Sequence, residues 1–132
     1  MKNVTNHGFK SNKDIRKHLI KADVFAYPSI WQETSCLALI EAMCFGVWCV
    51  HSNLAALPET SGGVTTMYNY NEDVNQHAAD FFHVMYRVLT MIRDNRKIVN
   101  DHGQYCAPIA HYRFNWEKIK SNHWQPLLES IK

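Results

Sequence analysis

The sequence predicts an α/β fold with a small parallel sheet flanked by helices, and three observations carry that expectation. Residues 23–28 and 47–50 are near-continuous apolar runs, as in strands covered on both faces. Between them, residues 34–45 (TSCLALIEAMCF) have helical length and are rich in Leu, Ala, Ile and Met. The connections are short, so strand, helix and strand read as a parallel crossover unit.

Composition sets the outer bounds. A chain of 132 residues with 46% hydrophobic content supports one modest core, so a single domain over 1–132 is expected. The net charge of +2 comes from 14 basic and 12 acidic residues, too balanced to argue for a nucleic-acid partner. No apolar run reaches the length of a membrane span, and the opening MKNVTNHGFKSNKD lacks the apolar centre of a signal peptide. A cytoplasmic location is therefore expected. Cys36, Cys44, Cys49 and Cys106 lie in or beside apolar elements without a CxxC pair, which favours free thiols in a reducing compartment. The eight histidines are scattered, with His51 just after a strand and no HExxH, so no metal is expected.

Taken in order, Val4 is a weak strand signal. Ser11 or Asn12 then caps a surface helix over 13–22, with Ile15, Leu19 and Ala22 on one face and Lys13, Arg16 and Lys17 on the other. That charged face needs no phosphate partner. Pro28 ends the strand that Asp23 opens. Thr34 or Ser35 caps the buried helix and Gly46 terminates it. Residues 64–68 (VTTMY) read as a short edge strand. Asn71 or Asp73 caps a long helix to about Arg93, whose apolar set includes Val74, Ala78, Phe81, Met85, Val88 and Ile92. Asn95 starts another helix, interrupted near Gly103 and broken or kinked at Pro108. In the last segment Trp116, Ile119, His123, Leu127 and Ile131 recur at helical spacing. Trp116, Trp124 and the strand residue Trp48 read as packing residues, and Pro126 limits straightness. Helical content exceeds what so small a sheet can cover, so the chain reads either as a helix-heavy small domain or as part of a larger sheet.

The stretch from Tyr27 to Gly63 carries the chemistry. In an α/β sheet the end of a strand and the start of the next helix face the ligand crevice. The amides near Ser35, Cys36 and Leu37 open such a helix and can hold a phosphate. Glu33 precedes them and Glu41 lies further along the helix, so two carboxylates flank the position and each can accept from a vicinal diol. The bland alternatives stand beside this. Glu33 can be a solvated loop acid favouring the helix dipole. Glu41, between Ile40 and Ala42, is costly if buried without a partner. Glu59 reads equally as a turn acid, a helix-start residue or a ligand contact. Trp31 is read as wedging the loop in preference to stacking on a ligand ring. No hydrolytic triad can be composed around Ser29, Ser35 or Cys36.

At these residues the sequence resembles the C-terminal, donor-binding domain of retaining glycosyltransferases of the two-Rossmann-domain (GT-B) architecture, group 4. ETSCLALIE places two glutamates, Glu33 and Glu41, with seven residues between them. ADVFAYPS (22–29), EAMCFGVWCVHS (41–52) and ALPETSGG (56–63) follow in the family's order. HGFKSNKDIRKHLIKADVF resembles the strand and helix before the motif, and FNWEKIKSNHWQPLL the terminal tryptophan-containing region. The resemblance implies a partial Rossmann-like domain, the C-terminal half of such an enzyme. Glu33 would contact the donor sugar as the catalytic-site residue. The amides of Ser35, Cys36 and Leu37 would approach the phosphate, and Glu41 would hold the ribose. The donor would be a UDP-, GDP- or ADP-sugar, with no separate cofactor and no metal. Ser35–Cys36 stands where relatives carry a phenylalanine–glycine pair, which would narrow the space beside the sugar. Ala55 and Ala56 stand where relatives often carry glycine. The resemblance also implies an absent N-terminal domain and basic pair, so little transferase activity is expected of the chain alone, and self-association through an exposed sheet edge is expected. The alternative reading is a non-catalytic nucleotide-binding or protein-interaction domain of the same fold, and a sugar-nucleotide epimerase is more distant.

Overall fold

The computed structural model describes residues 3–131; residues 1–2, which begin the opening segment, and Lys132 lie outside the description. Helix α1 (Asn12–Leu19) leads to β1 (Val24–Tyr27), α2 (Leu37–Cys44), β2 (Trp48–Ser52), α3 (Leu57–Ser61) and β3 (Thr66–Tyr68). The long helices α4 (Val74–Asp94) and α5 (Lys97–Arg113) follow. The chain ends in a one-turn α6 (Trp116–Ile119), a π-helical turn (Lys120–Trp124) and α7 (Gln125–Ser130). The architecture is α/β, a small parallel sheet flanked by helices. Its strand order is β1-β2-β3, with Val24 opposite Trp48 and Val50 opposite Thr66.

The central strand organises the core because its alternate residues enter two different clusters. Cys49 packs with Leu39, Ala42 and Met43 of α2, Leu57 of α3 and Ala110 of α5. Trp48 and Val50 face the other way, onto Val88 and Ile92 of α4. All five residues of β2 are buried. β1, expected to be covered on both faces, is instead an edge strand with only partial burial. VTTMY supplies the edge strand β3, as expected. The strand signal at Val4 is not realised, and Val4 is exposed.

Several caps follow the sequence. The Ser11 side chain accepts from the Asp14 amide, and Asp73 caps α4 by accepting from the Gln76 amide at 2.9 Å. Gly46 ends α2 at φ +71°, a conformation that costs a side-chain-bearing residue ~1–2 kcal/mol. α5 departs from expectation. It runs unbroken past Gly103 and through Pro108, giving up one backbone hydrogen bond at the proline. Gly103 lies against Gly46: a Cβ at Gly103 would meet the Gly46 carbonyl oxygen at 2.8 Å. The glycine is therefore a contact point between α5 and the end of α2. The terminal segment is a further correction. Trp116, Trp124, Leu127, Leu128 and Ile131 keep helical spacing but are exposed, because among the described residues this segment packs mainly on itself. Trp48 is core as read, with its indole donating to Thr66 Oγ1 at 2.9 Å and stacked on His102 at 4.3 Å.

His51 lies within β2 and is fully buried, where the sequence placed it after the strand. Its Nδ1 contacts the Ser52 carbonyl at 2.8 Å, and a carbonyl only accepts, so Nδ1 carries the proton. Nε2 then accepts from Thr65 Oγ1 at 2.7 Å. Burial pushes the pKa of His51 down against the raising effect of the Ser52 carbonyl, and burial does the same to His102. With folded pKa values below the unfolded value of about 6.5, the unfolded chain binds more protons, so stability is lost as pH falls through that value. The thermal midpoint is expected to drop between about pH 7 and pH 6 at constant ionic strength, with a shallower slope in His51→Gln. A midpoint that is flat or rises on acidification contradicts this.

Candidate functional site

The loop after β1 is held at the carboxyl end of the sheet by contacts from three directions. Tyr27, the last residue of β1, donates its phenol to Glu33 Oε1 at 2.6 Å. The Ala56 amide, ahead of α3, reaches the Glu33 carbonyl at 3.3 Å. Ser52, ending β2, donates to the Ser29 carbonyl at 3.4 Å. The Glu33 carboxylate raises the Tyr27 pKa, with burial adding to the effect, so the phenol stays protonated and keeps donating. Glu33 is thus half-buried and oriented by a strand residue, not free at a loop tip.

Helix α2 begins one residue later than the expected caps. Cys36 is the N-cap, and no side chain caps the amides of the first turn. Thr34 and Ser35 are exposed and do not serve as caps, because Cys36 turns into the core at 2% exposure and carries the helix start inward. Of the Ser35–Cys36 pair only Ser35 faces outward. The leading turn is open, with Leu37 at 73% exposure. Unsatisfied amides at an open helix start form a potential anion site.

Glu41 sits about 6 Å further along α2, by the helical rise from Leu37. Its carboxylate pairs with Arg16 Nη2 of α1 at 3.2 Å, and its side chain is 34% exposed. The unpartnered burial considered from sequence does not arise. An exposed ion pair of this kind contributes about 0–1 kcal/mol, so Arg16 is readily exchanged for another donor. Trp31 is exposed and wedges nothing; only its backbone is engaged, its amide donating to Ser29 Oγ at 3.1 Å and its carbonyl accepting from the Glu33 amide at 3.0 Å. Glu59 is exposed in α3, where its carbonyl accepts from Arg113 at 2.7 Å.

Residues 1–63 match the family model described as glycosyl transferases group 1. That span contains β1, α2, β2 and α3 and both glutamates. An uncharacterized 41.2 kDa protein in the cps region of Klebsiella pneumoniae is 36% identical over 75 residues. The aligned stretch is 56% of this chain and 21% of that protein, so the chain spans about a fifth of this curated relative's length. No solved structure matches at a significant level. The glycosyltransferase association thus rests on the half of the chain that builds the Glu33–Glu41 region.

Two residues of the site were missed in the sequence, Tyr27 and Arg16. Tyr27 is legible only as a strand end, and Arg16 lies 25 positions before Glu41 with no local signal for the pairing. Ala55 is a third finding. It takes φ +50°, the left-handed conformation in which glycine is at ease. Ala55→Gly is expected to be neutral or stabilising, by up to ~1 kcal/mol, as relief of strain outweighs added chain entropy. Urea unfolding measures this, and a loss above that size contradicts it.

A cavity of about 610 Å³ lies elsewhere, among Ala22, Asp23, Phe45, Gly46, Asn100 and Gly103. It sits at the amino ends of β1 and β2, opposite the end where open α/β sheets bind ligands. Among the described residues no three of His, Cys, Asp and Glu group as metal ligands, and no helix is long and apolar enough to cross a membrane.

Proposed function

We propose that this chain is the donor-binding part of a group 4 retaining glycosyltransferase of GT-B architecture, which moves a sugar from a nucleoside diphosphate to an acceptor. The observation that carries the reading is the open, uncapped start of α2 between two carboxylates at the carboxyl end of the sheet, within the residues that match the glycosyltransferase model. The diphosphate rests on the amides of Ser35, Cys36 and Leu37, where the helix dipole offsets its charge without a metal. Glu33, aligned by Tyr27, accepts from sugar hydroxyls. Glu41 accepts from the ribose hydroxyls as Arg16 releases it, and the freed guanidinium is then placed to meet phosphate oxygens.

Transfer needs a cleft closed over both substrates and charge compensation on the leaving group. The chain covers about a fifth of its relative, so binding is the activity to test first. Calorimetric titration with UDP, GDP, ADP and their glucose or mannose conjugates is expected to give saturable one-to-one binding to one nucleotide series, tighter for the diphosphate than for the monophosphate. Absence of binding to every nucleotide overturns the reading in favour of a protein-interaction domain.

A further inference from the structure

Outside the site just described, the strongest concentration of charge lies around α1. From Gly8 to Ala22 the basic residues are Lys10, Lys13, Arg16, Lys17 and Lys21, and Asp14 is the only acid, in a chain whose net charge is +2. Asp14 is fully engaged, accepting from Lys17 at 2.8 Å and from Ser11 Oγ at 2.8 Å. Arg16 turns away to Glu41. Among the described residues Lys10, Lys13 and Lys21 have no carboxylate partner.

These cations gather around a shape. A concavity of about 400 Å³ is lined by Lys10, Asp14, Lys17, His18 and Lys21. A second, of about 290 Å³, opens beside it over Ile15, Leu19 and Ala22, and shares Lys10 and His18 with the first. The His7 ring lies against that of His18, tilted by 42° with centroids 4.5 Å apart, and walls the apolar concavity. Phe9, next to Lys10, is wholly exposed, and Ile20 is exposed beside Lys21. A cationic hollow joined to an apolar one, with an unburied aromatic ring carried between the lining residues Gly8 and Lys10, complements an anionic head on a hydrocarbon chain. Free phosphate would use only the first hollow and would leave Phe9 and the apolar one unaccounted for.

We propose that the α1 face docks on an anionic bilayer, with a phospholipid phosphate among Lys10, Lys17, Lys21 and His18. The adjoining acyl chain lies over Ile15, Leu19 and Ala22, and Phe9 enters the interface. Basic clusters on amphipathic segments are drawn to anionic leaflets, and exposed aromatic side chains settle at headgroup depth. The proposal is independent of the nucleotide reading.

Co-sedimentation of the full chain with vesicles tests it. The chain is expected to pellet with phosphatidylglycerol vesicles and to stay in the supernatant with phosphatidylcholine. Lys10→Ser, Lys17→Ser and Lys21→Ser together should weaken binding about a hundredfold at low salt. Removing the same charge at Arg93, Lys118 and Lys120, all exposed, should leave most of the binding. Phe9→Ser should weaken it at unchanged charge. Circular dichroism of each variant checks that the fold is kept, and none of the altered side chains is buried. Equal binding to both lipids, no binding to phosphatidylglycerol, equal loss in the two triple variants, or full displacement by excess glycerol phosphate would each overturn the proposal. The last would mark a soluble-anion site instead.

Discussion

Gly103→Val is expected to lower the unfolding free energy by about 3 kcal/mol, with a thermal midpoint well below that of the parent chain. Valine would gain slightly over glycine in helix propensity, by a few tenths of a kcal/mol. That gain is outweighed because the new Cβ would sit 2.8 Å from the Gly46 carbonyl oxygen, and backbone cannot step aside as a flexible side chain can. Gly46 is itself fixed at φ +71° as the stop of α2, so neither partner can yield without disturbing the helix that carries Glu41. Domains of this size are held by roughly 5–15 kcal/mol, and such a loss would leave a measurable unfolded fraction near physiological temperature. Guanidinium unfolding followed by tryptophan fluorescence gives the value. A change below about 1 kcal/mol would mean that the crossing of α5 over α2 is looser than drawn.

The second large effect is on binding. Glu41→Ala should weaken nucleotide binding about ten- to a hundredfold, since a carboxylate hydrogen bond to a ligand hydroxyl contributes about 1.5–3 kcal/mol. Stability should hardly move, because the pair it leaves behind is an exposed one contributing at most about 1 kcal/mol. That separation makes the variant informative: lost affinity in a folded chain speaks for the ribose contact. Unchanged affinity would leave Glu41 as no more than the partner of Arg16.

Much of this organisation was legible in the sequence. The apolar run at 47–50 gave a strand because burial on two faces leaves few positions for polar residues, and the run at 23–28 gave one that is only partly buried. The spacing of Glu33 and Glu41 placed both acids around one helix start, and Asp73 capped α4 as its type and position suggested. What was not legible depends on partners distant in the chain. Gly103 read as an interruption, since a sequence does not distinguish a helix-weakening glycine from one that admits a neighbouring backbone. Trp116 and Trp124 read as packing residues, since periodicity identifies an apolar face without showing whether anything covers it. The exposure of β1 likewise followed from strand order, not from its own residues. Arg16 and Tyr27 entered the site only through tertiary geometry.

The account stands or falls on an anion resting at the open start of α2. Amide chemical shifts of the ¹⁵N-labelled chain, followed during titration with UDP, GDP and ADP, observe that point directly. The account predicts large saturable shifts at the amides of Ser35, Cys36 and Leu37, accompanied by Glu33 and Glu41, for one nucleoside diphosphate. Shifts confined to residues around the α1 lysines or the Gly46–Gly103 cavity, with the start of α2 unmoved, would contradict it.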